Sequence, residues 1–258
     1  MKANSLKIIV AALSLLAVNA WGQEFKLSKS SGKLIVKDVN KVEFEGTSGN
    51  EIIFSTDGGS RSTNERAEGL RIINAMGLED NTGIGLSVTD KGGNIEVYQL
   101  SKMSSKTYTI KVPKGVSIVY EHSGTQGSKV KFTRVESEIS TSTLHNGVIL
   151  KDVTGPMTIN SVHGSIDVVF SEVSQKSPAS IISVHGPVDV TLPSNTKANL
   201  KIHTNWGEVF ASPDLKIEFE QSGDMKRYGG SDMRAKLNGG GVEMTLSSTH
   251  NNIYLRKK

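Results

Sequence analysis

The sequence predicts an all-β protein, a right-handed β-solenoid-like stack of short strands. Three observations carry that reading. Apolar residues alternate with period two, and no stretch after residue 22 keeps a good 3.6-residue apolar period. Clusters of Gly, Asn and Ser punctuate the alternating runs at short intervals, as turns do. A short motif then recurs near multiples of 11 residues. A β-sandwich or a mixed β meander would show similar alternation and stays open as the alternative.

The first 22 residues stand apart. Lys2 and Lys7 give a basic start, Ile8 to Val18 is apolar apart from Ser14, and Ala20-Trp21-Gly22 supplies small residues at the end. This is the pattern of a secretory signal peptide, with cleavage expected before Gln23. The apolar run is short for a bilayer span, and no later segment approaches about 20 apolar residues. The expected mature chain, 23–258, reads as one elongated β-repeat domain, weaker in repeat over 23–115 and clearer over 116–258.

In order along that chain, Lys33–Val36, Glu51–Phe54, Asn94–Val97 and Thr107–Val112 alternate as half-buried strands. Asp57 to Glu68 is polar and reads as a long surface loop. Asn64 to Ala75 could be argued as a helix, but Gly69 interrupts it, and Leu70 to Ile73 reads equally well as a strand.

The repeat is clearest in four segments that align without gaps, beginning at Leu144, Val162, Val184 and Thr249. Each continues with His (His145, His163, His185, His250), then Gly or Asn, a further short residue, and two aliphatics separated by one position. Looser copies start at Trp206, Gly240 and Gly93. The first aliphatic falls at Val148, Ile166, Val188, Val209, Val242 and Ile253, in steps of 18, 22, 21, 33 and 11. A bend followed by a strand with two inward aliphatics suits stacked coils that bury their faces only on one another. Gly or Asn at the bend suggests positive φ at a tight corner. With 5% aromatic residues, small aliphatics are expected to fill a thin core.

Several segments carry a family resemblance. These are Glu65 to Leu70, Gly77 to Leu86, Val153 to Thr158, the His-Gly repeats and the closing Asn252-Ile253-Tyr254-Leu255. Together they resemble the exported bacterial "putative adhesin" family of β-strand-repeat proteins, a domain of unknown function. The resemblance implies a repetitive β-fold, export and a surface or envelope role. It implies no catalytic residue.

Composition excludes several chemistries. The chain has no Cys, so disulfide scaffolds, thiol enzymes, iron–sulfur centres and a lipidated Cys are absent. The formal charge of +4 includes Lys2 and Lys7, and without them 28 basic residues face 26 acidic ones. That balance, with basic residues dense only around Lys226–Lys236 and at the C-terminus, does not suit nucleic acid. No nucleophile elbow, phosphate loop or dinucleotide fingerprint occurs. No catalytic, cofactor or metal residue is therefore assigned.

Four features remain. The His column can be a metal site or a set of solvent-facing turn residues. Asp167 and Asp189 share an outward column, where paired carboxylates could hydrolyse a glycan or simply discourage edge aggregation. Glu79, Asp80 and Asn81 can hold calcium or close a turn through side-chain to backbone bonds. Lys226, Arg227 and Tyr228 sit in a polar, Gly-rich stretch that reads as a loop inserted between coils, a candidate partner-binding loop. The expected function is non-enzymatic: an exported envelope or cell-surface protein in adhesion or scaffolding, located in the periplasm, on the outer surface or outside the cell. A glycan or another envelope protein is the expected partner. A polysaccharide-acting β-helix enzyme and a periplasmic binding or sensing module are the alternatives.

Overall fold

The computed structural model describes residues 24–57, 66, 70, 73–220 and 231–258. The candidate loop Lys226/Arg227/Tyr228 and the expected signal segment lie outside them, as does most of 57–72. Among the described residues the chain forms 21 strands. The first seven are β1 (Glu24–Ser28), β2 (Gly32–Lys37), β3 (Val42–Thr47), β4 (Glu51–Thr56), β5 (Leu86–Lys91), β6 (Asn94–Gln99) and β7 (Tyr108–Pro113). The middle of the chain gives β8 (Val116–His122), β9 (Val130–Thr133), β10 (Ile139–Thr143), β11 (Val148–Val153), β12 (Met157–Ser161), β13 (Ile166–Phe170), β14 (Ala179–Ser183) and β15 (Val188–Leu192). The last six are β16 (Ala198–Thr204), β17 (Val209–Ala211), β18 (Ile217–Phe219), β19 (Ser231–Leu237), β20 (Val242–Ser248) and β21 (Ile253–Lys257). All four strands read from local alternation are present. In the ambiguous 64–75 segment, Ile73 makes a single antiparallel bridge to Glu79. No helix among the described residues is long and apolar enough to cross a membrane.

The strands form two sheets over one apolar core. One has ten strands in the order β1-β4-β7-β3-β9-β11-β13-β15-β21-β17. The other has eleven, β18-β19-β16-β20-β14-β12-β10-β8-β2-β6-β5. From β8 to β17 successive strands alternate between the sheets. Strands of successive coils pair in parallel, as in β10 with β12 and β11 with β13. This is the stacked-coil arrangement that the repeat predicts. Antiparallel strands finish the stack: β1 and β4 at one end of the first sheet, β5 at the same end of the second, and β18–β19 at the other end of the second. The first sheet ends instead on the three-residue parallel strand β17.

Spatial order departs from sequence order at both ends. The coil β2–β3 lies between β6–β7 and β8–β9, and the C-terminal coil β20–β21 lies between β14–β15 and β16–β17. The aliphatic column holds in register through Val148, Ile166, Val188, Ile253 and Val209. Val242 does not belong to it: it lies in the other sheet, opposite Ala198. The stretch expected to be a loop from 221 to 236 is in its second half the antiparallel strand β19.

Alternation places the core as expected. Ile166, Val168, Val188 and Val190 are buried, while Asp167 and Asp189 between them are half-exposed. The filling is less aliphatic than composition suggests. Phe44, Phe54, Tyr108, Tyr120, Phe132 and Phe170 are among the largest fully buried side chains. Phe44 stacks on Phe132 at 4.8 Å and meets the edge of Tyr120 at 6.0 Å. These six aromatics are spent inside, four of them in the N-terminal half.

Candidate functional site: an imidazole column and an aromatic end

The bend that leads from the eleven-stranded sheet into the ten-stranded one is built the same way in successive coils. A buried hydroxyl ends the first strand: Thr143, Ser161, Ser183, Ser248 and Thr204 stand in register across β10, β12, β14, β20 and β16. Ser183 Oγ donates to the carbonyl of Gly164 in the preceding coil and accepts from the N–H of Gly186 in its own. Ser161 and Thr204 repeat the device with Gly164 and Gly207. Ser248 donates to Gly186 and accepts from Asn251 N–H. These four hydroxyls thus each serve one backbone acceptor and one backbone donor of the buried bend, while Thr143 donates to Asn146 C=O of its own bend.

The glycines of this bend are required by contact, not by backbone sign. None of Gly164, Gly186 and Gly207 has positive φ, which corrects the expectation from sequence. A Cβ on Gly186 would lie 2.0 Å from the carbonyl oxygen of Gly164, and one on Gly207 equally close to Asn251. At these three bends backbone stacks on backbone with no room for a Cβ, whereas Asn146 and Asn251 hold the same position in two other coils, Asn251 donating to His185 C=O.

His122 occupies the hydroxyl position one coil earlier, in register with Thr143. It is buried, and the amide of Asn146 donates to its Nδ1 at 3.2 Å. Its Nε2 therefore carries the proton and donates to Asn40 Oδ1 at 3.3 Å. Burial holds the imidazole below its ordinary pKa.

Two residues beyond each hydroxyl the side chain returns to solvent. There His145, His163, His185 and His250 form a ladder of exposed, nearly parallel rings. Centroids are 5.2, 4.8 and 4.7 Å apart, with interplanar angles of 7°, 4° and 7°. These are turn residues facing solvent, as one reading of the repeat holds. Among the described residues no three His, Asp or Glu side chains are grouped to hold a metal. Trp206 takes the same place in the last coil, two residues after Thr204, and is 77% exposed.

Aromatic surface gathers at this end of the stack. Phe210 on β17 stacks on Tyr254 of β21 at 5.3 Å, and the Arg256 guanidinium lies over the Tyr254 ring at 5.5 Å. Trp206, Phe210 and Phe219 are all exposed, and β18, which carries Phe219, leads directly into the Lys226/Arg227/Tyr228 segment. A groove of about 200 Å³ runs between Phe210, Ser212, Tyr254 and Arg256. On the neighbouring sheet a shallow groove of about 400 Å³ holds His203, hydrogen-bonded through Nδ1 to Asp232 at 2.5 Å.

The outward carboxylates are adjacent but each faces a cation. Asp167 and Asp189 pair in register across β13 and β15. Lys129 lies 3.6 Å from Asp167, and Arg256 Nε donates to both oxygens of Asp189 at 2.8 and 2.9 Å. In the Glu79-Asp80-Asn81 turn the side chains of Asp80 and Asn81 bond to the backbone. Asp80 accepts from the N–H groups of Thr82, Gly83 and Gly85, and Asn81 exchanges two hydrogen bonds with Val88. That is the turn-closing reading of these residues. Neither the hydroxyl column nor the aromatic end was read from sequence, although the recurring Ser-x-His-Gly spacing carries the first.

No protein-family model matches the chain, and no curated protein matches it significantly. Two solved structures are similar. A "putative cell adhesion protein" from Clostridium sporogenes shares 13% identity with a TM-score of 0.48, over 92% of this chain and 100% of that one. A "putative adhesin" from Bacteroides fragilis shares 9% identity with a TM-score of 0.34, over 91% and 96%. At such distances neither protein's role passes to this chain.

Proposed function

We propose that the chain from residue 23 onward is one exported β-stack domain that works without catalysis, in adhesion or scaffolding at the cell envelope, through the end of the stack that carries β17. The supporting observation is the collection of exposed Trp206, Phe210 and Phe219 on and beside the last coil. Soluble proteins place such side chains together at contact surfaces. A glycan or another envelope protein is the proposed partner, with Lys226, Arg227 and Tyr228 contributing from the segment between β18 and β19.

The test compares attachment to cells and to arrayed glycans for wild type, the Lys226→Ser/Arg227→Ser/Tyr228→Ser variant and a Trp206→Ala/Phe210→Ser variant. Circular dichroism serves as the folding control. Both variants should fold and attach more weakly. The loop variant should also lose most of the salt sensitivity, because the Debye length shrinks from roughly 10 Å at 0.1 M salt to about 3 Å at 1 M. Undiminished attachment by both folded variants would end this reading.

A further inference from the structure

The imidazole ladder has chemistry that adhesion does not use. Four exposed imidazoles stand in consecutive coils, 4.7–5.2 Å apart. Their backbone is fixed at that spacing by the buried hydroxyls beneath, Thr143, Ser161, Ser183 and Ser248, and by the contact of Gly164 and Gly186 with the bends below them. The rings themselves are exposed and can turn about their own side-chain bonds without disturbing the core.

Imidazole nitrogen is a favoured ligand of Cu²⁺, Ni²⁺ and Zn²⁺. A metal–nitrogen bond is about 2.0–2.1 Å, so two rings on one ion at the roughly 90–110° angles of a water-completed site need their nitrogens about 2.9–3.4 Å apart. Stacked rings one coil apart must bring two nitrogens about 1.3–2.3 Å closer and turn their planes toward each other, which rotation about exposed side-chain bonds allows. Rings two coils apart start at about twice the separation and need a far larger swing. We propose that adjacent members of the His145–His163–His185–His250 column form two-imidazole sites for a divalent transition-metal ion of the Cu²⁺ and Zn²⁺ class, with water completing the coordination. The four rings then hold at most two ions, as 145 with 163 and 185 with 250.

The arrangement makes a prediction that a mere count of histidines does not. Three double variants each keep two ladder rings. His145→Ala/His163→Ala leaves the adjacent pair 185 and 250. His163→Ala/His185→Ala leaves 145 and 250, and His163→Ala/His250→Ala leaves 145 and 185, so neither retains neighbours. The experiment is titration of the untagged mature protein with Cu²⁺ alone, followed by calorimetry and by electron paramagnetic resonance for bound nitrogen. The variant lacking all four rings sets the baseline contributed by His122 and His203. Wild type should bind two ions above that baseline, the 145/163 variant one, and the other two none, with at least tenfold weaker uptake. Circular dichroism checks that each is folded, which the exposure of the rings favours. Equal binding by the three double variants, or no binding by wild type above the baseline, would overturn the proposal.

Discussion

Ser183 and Gly186 show how much of this fold rests on single bends. Replacing Ser183 by Ala takes a partner from Gly164 C=O and from Gly186 N–H, both in the buried bend. The expected cost is about 2–3 kcal/mol in a denaturant titration. Gly186→Ala should cost about 3 kcal/mol or more, since its Cβ meets backbone and cannot be relieved by a rotamer change. If Gly186→Ala melts like wild type, the close stacking of bends is wrong. His122 adds a pH dependence. Its folded pKa lies below the 6.5 of an ordinary imidazole. Between those two values the unfolded chain binds more protons than the folded one, so stability rises with pH through the window and falls as acid is added. Urea midpoints at pH 7.5 and 5 should therefore drop further for wild type than for His122→Asn. Equal drops would show that His122 is not held neutral. At this scale the sequence was half legible. The Gly and His positions were evident from the repeat. Their physical reason was not, because a clash between coils depends on what stacks below, which local spacing does not encode.

The strand β15 tests register directly. Val188 is fully buried and Asp189 is half-exposed beside Arg256. Val188→Asp should cost about 3 kcal/mol or more by burying an unpaired charge. Asp189→Ser should cost under about 1 kcal/mol, since it removes only an exposed ion pair. Comparable losses of thermal stability in the two variants would contradict the register. Strands were the most legible elements, because alternation at Lys33–Val36 or Asn94–Val97 is a local signal that burial on one face makes obligatory. Val242 shows the limit. It follows a Gly/Asn approach like those of Val188 and Ile253, yet opens a strand of the opposite sheet. That approach is the turn from β19 to β20 within one sheet, so the motif marks a turn without saying which kind.

For the whole molecule, the sequence foretold stacked coils but not their order. Nothing local says that β20–β21 inserts between β14–β15 and β16–β17, because parallel pairing joins strands far apart in the chain and the aliphatics of every coil are interchangeable in pattern. The proposed contact end depends on that order: Trp206 and Phe210 take the outward-facing positions of the coil that stands last in the stack. In sequence order β17 would pair with β15, whereas here β21 separates them, giving the register Asp189–Tyr254–Phe210. Because the chain has no native Cys, a thiol cross-linker reaching about 5 Å, one strand spacing, reads this cleanly. The decisive measurement compares cross-linking in the folded Asp189→Cys/Tyr254→Cys and Asp189→Cys/Phe210→Cys variants. Efficient cross-linking of 189 with 254 and none of 189 with 210 is expected; efficient cross-linking of 189 with 210 would put β17 beside β15 and contradict the inserted position of β21.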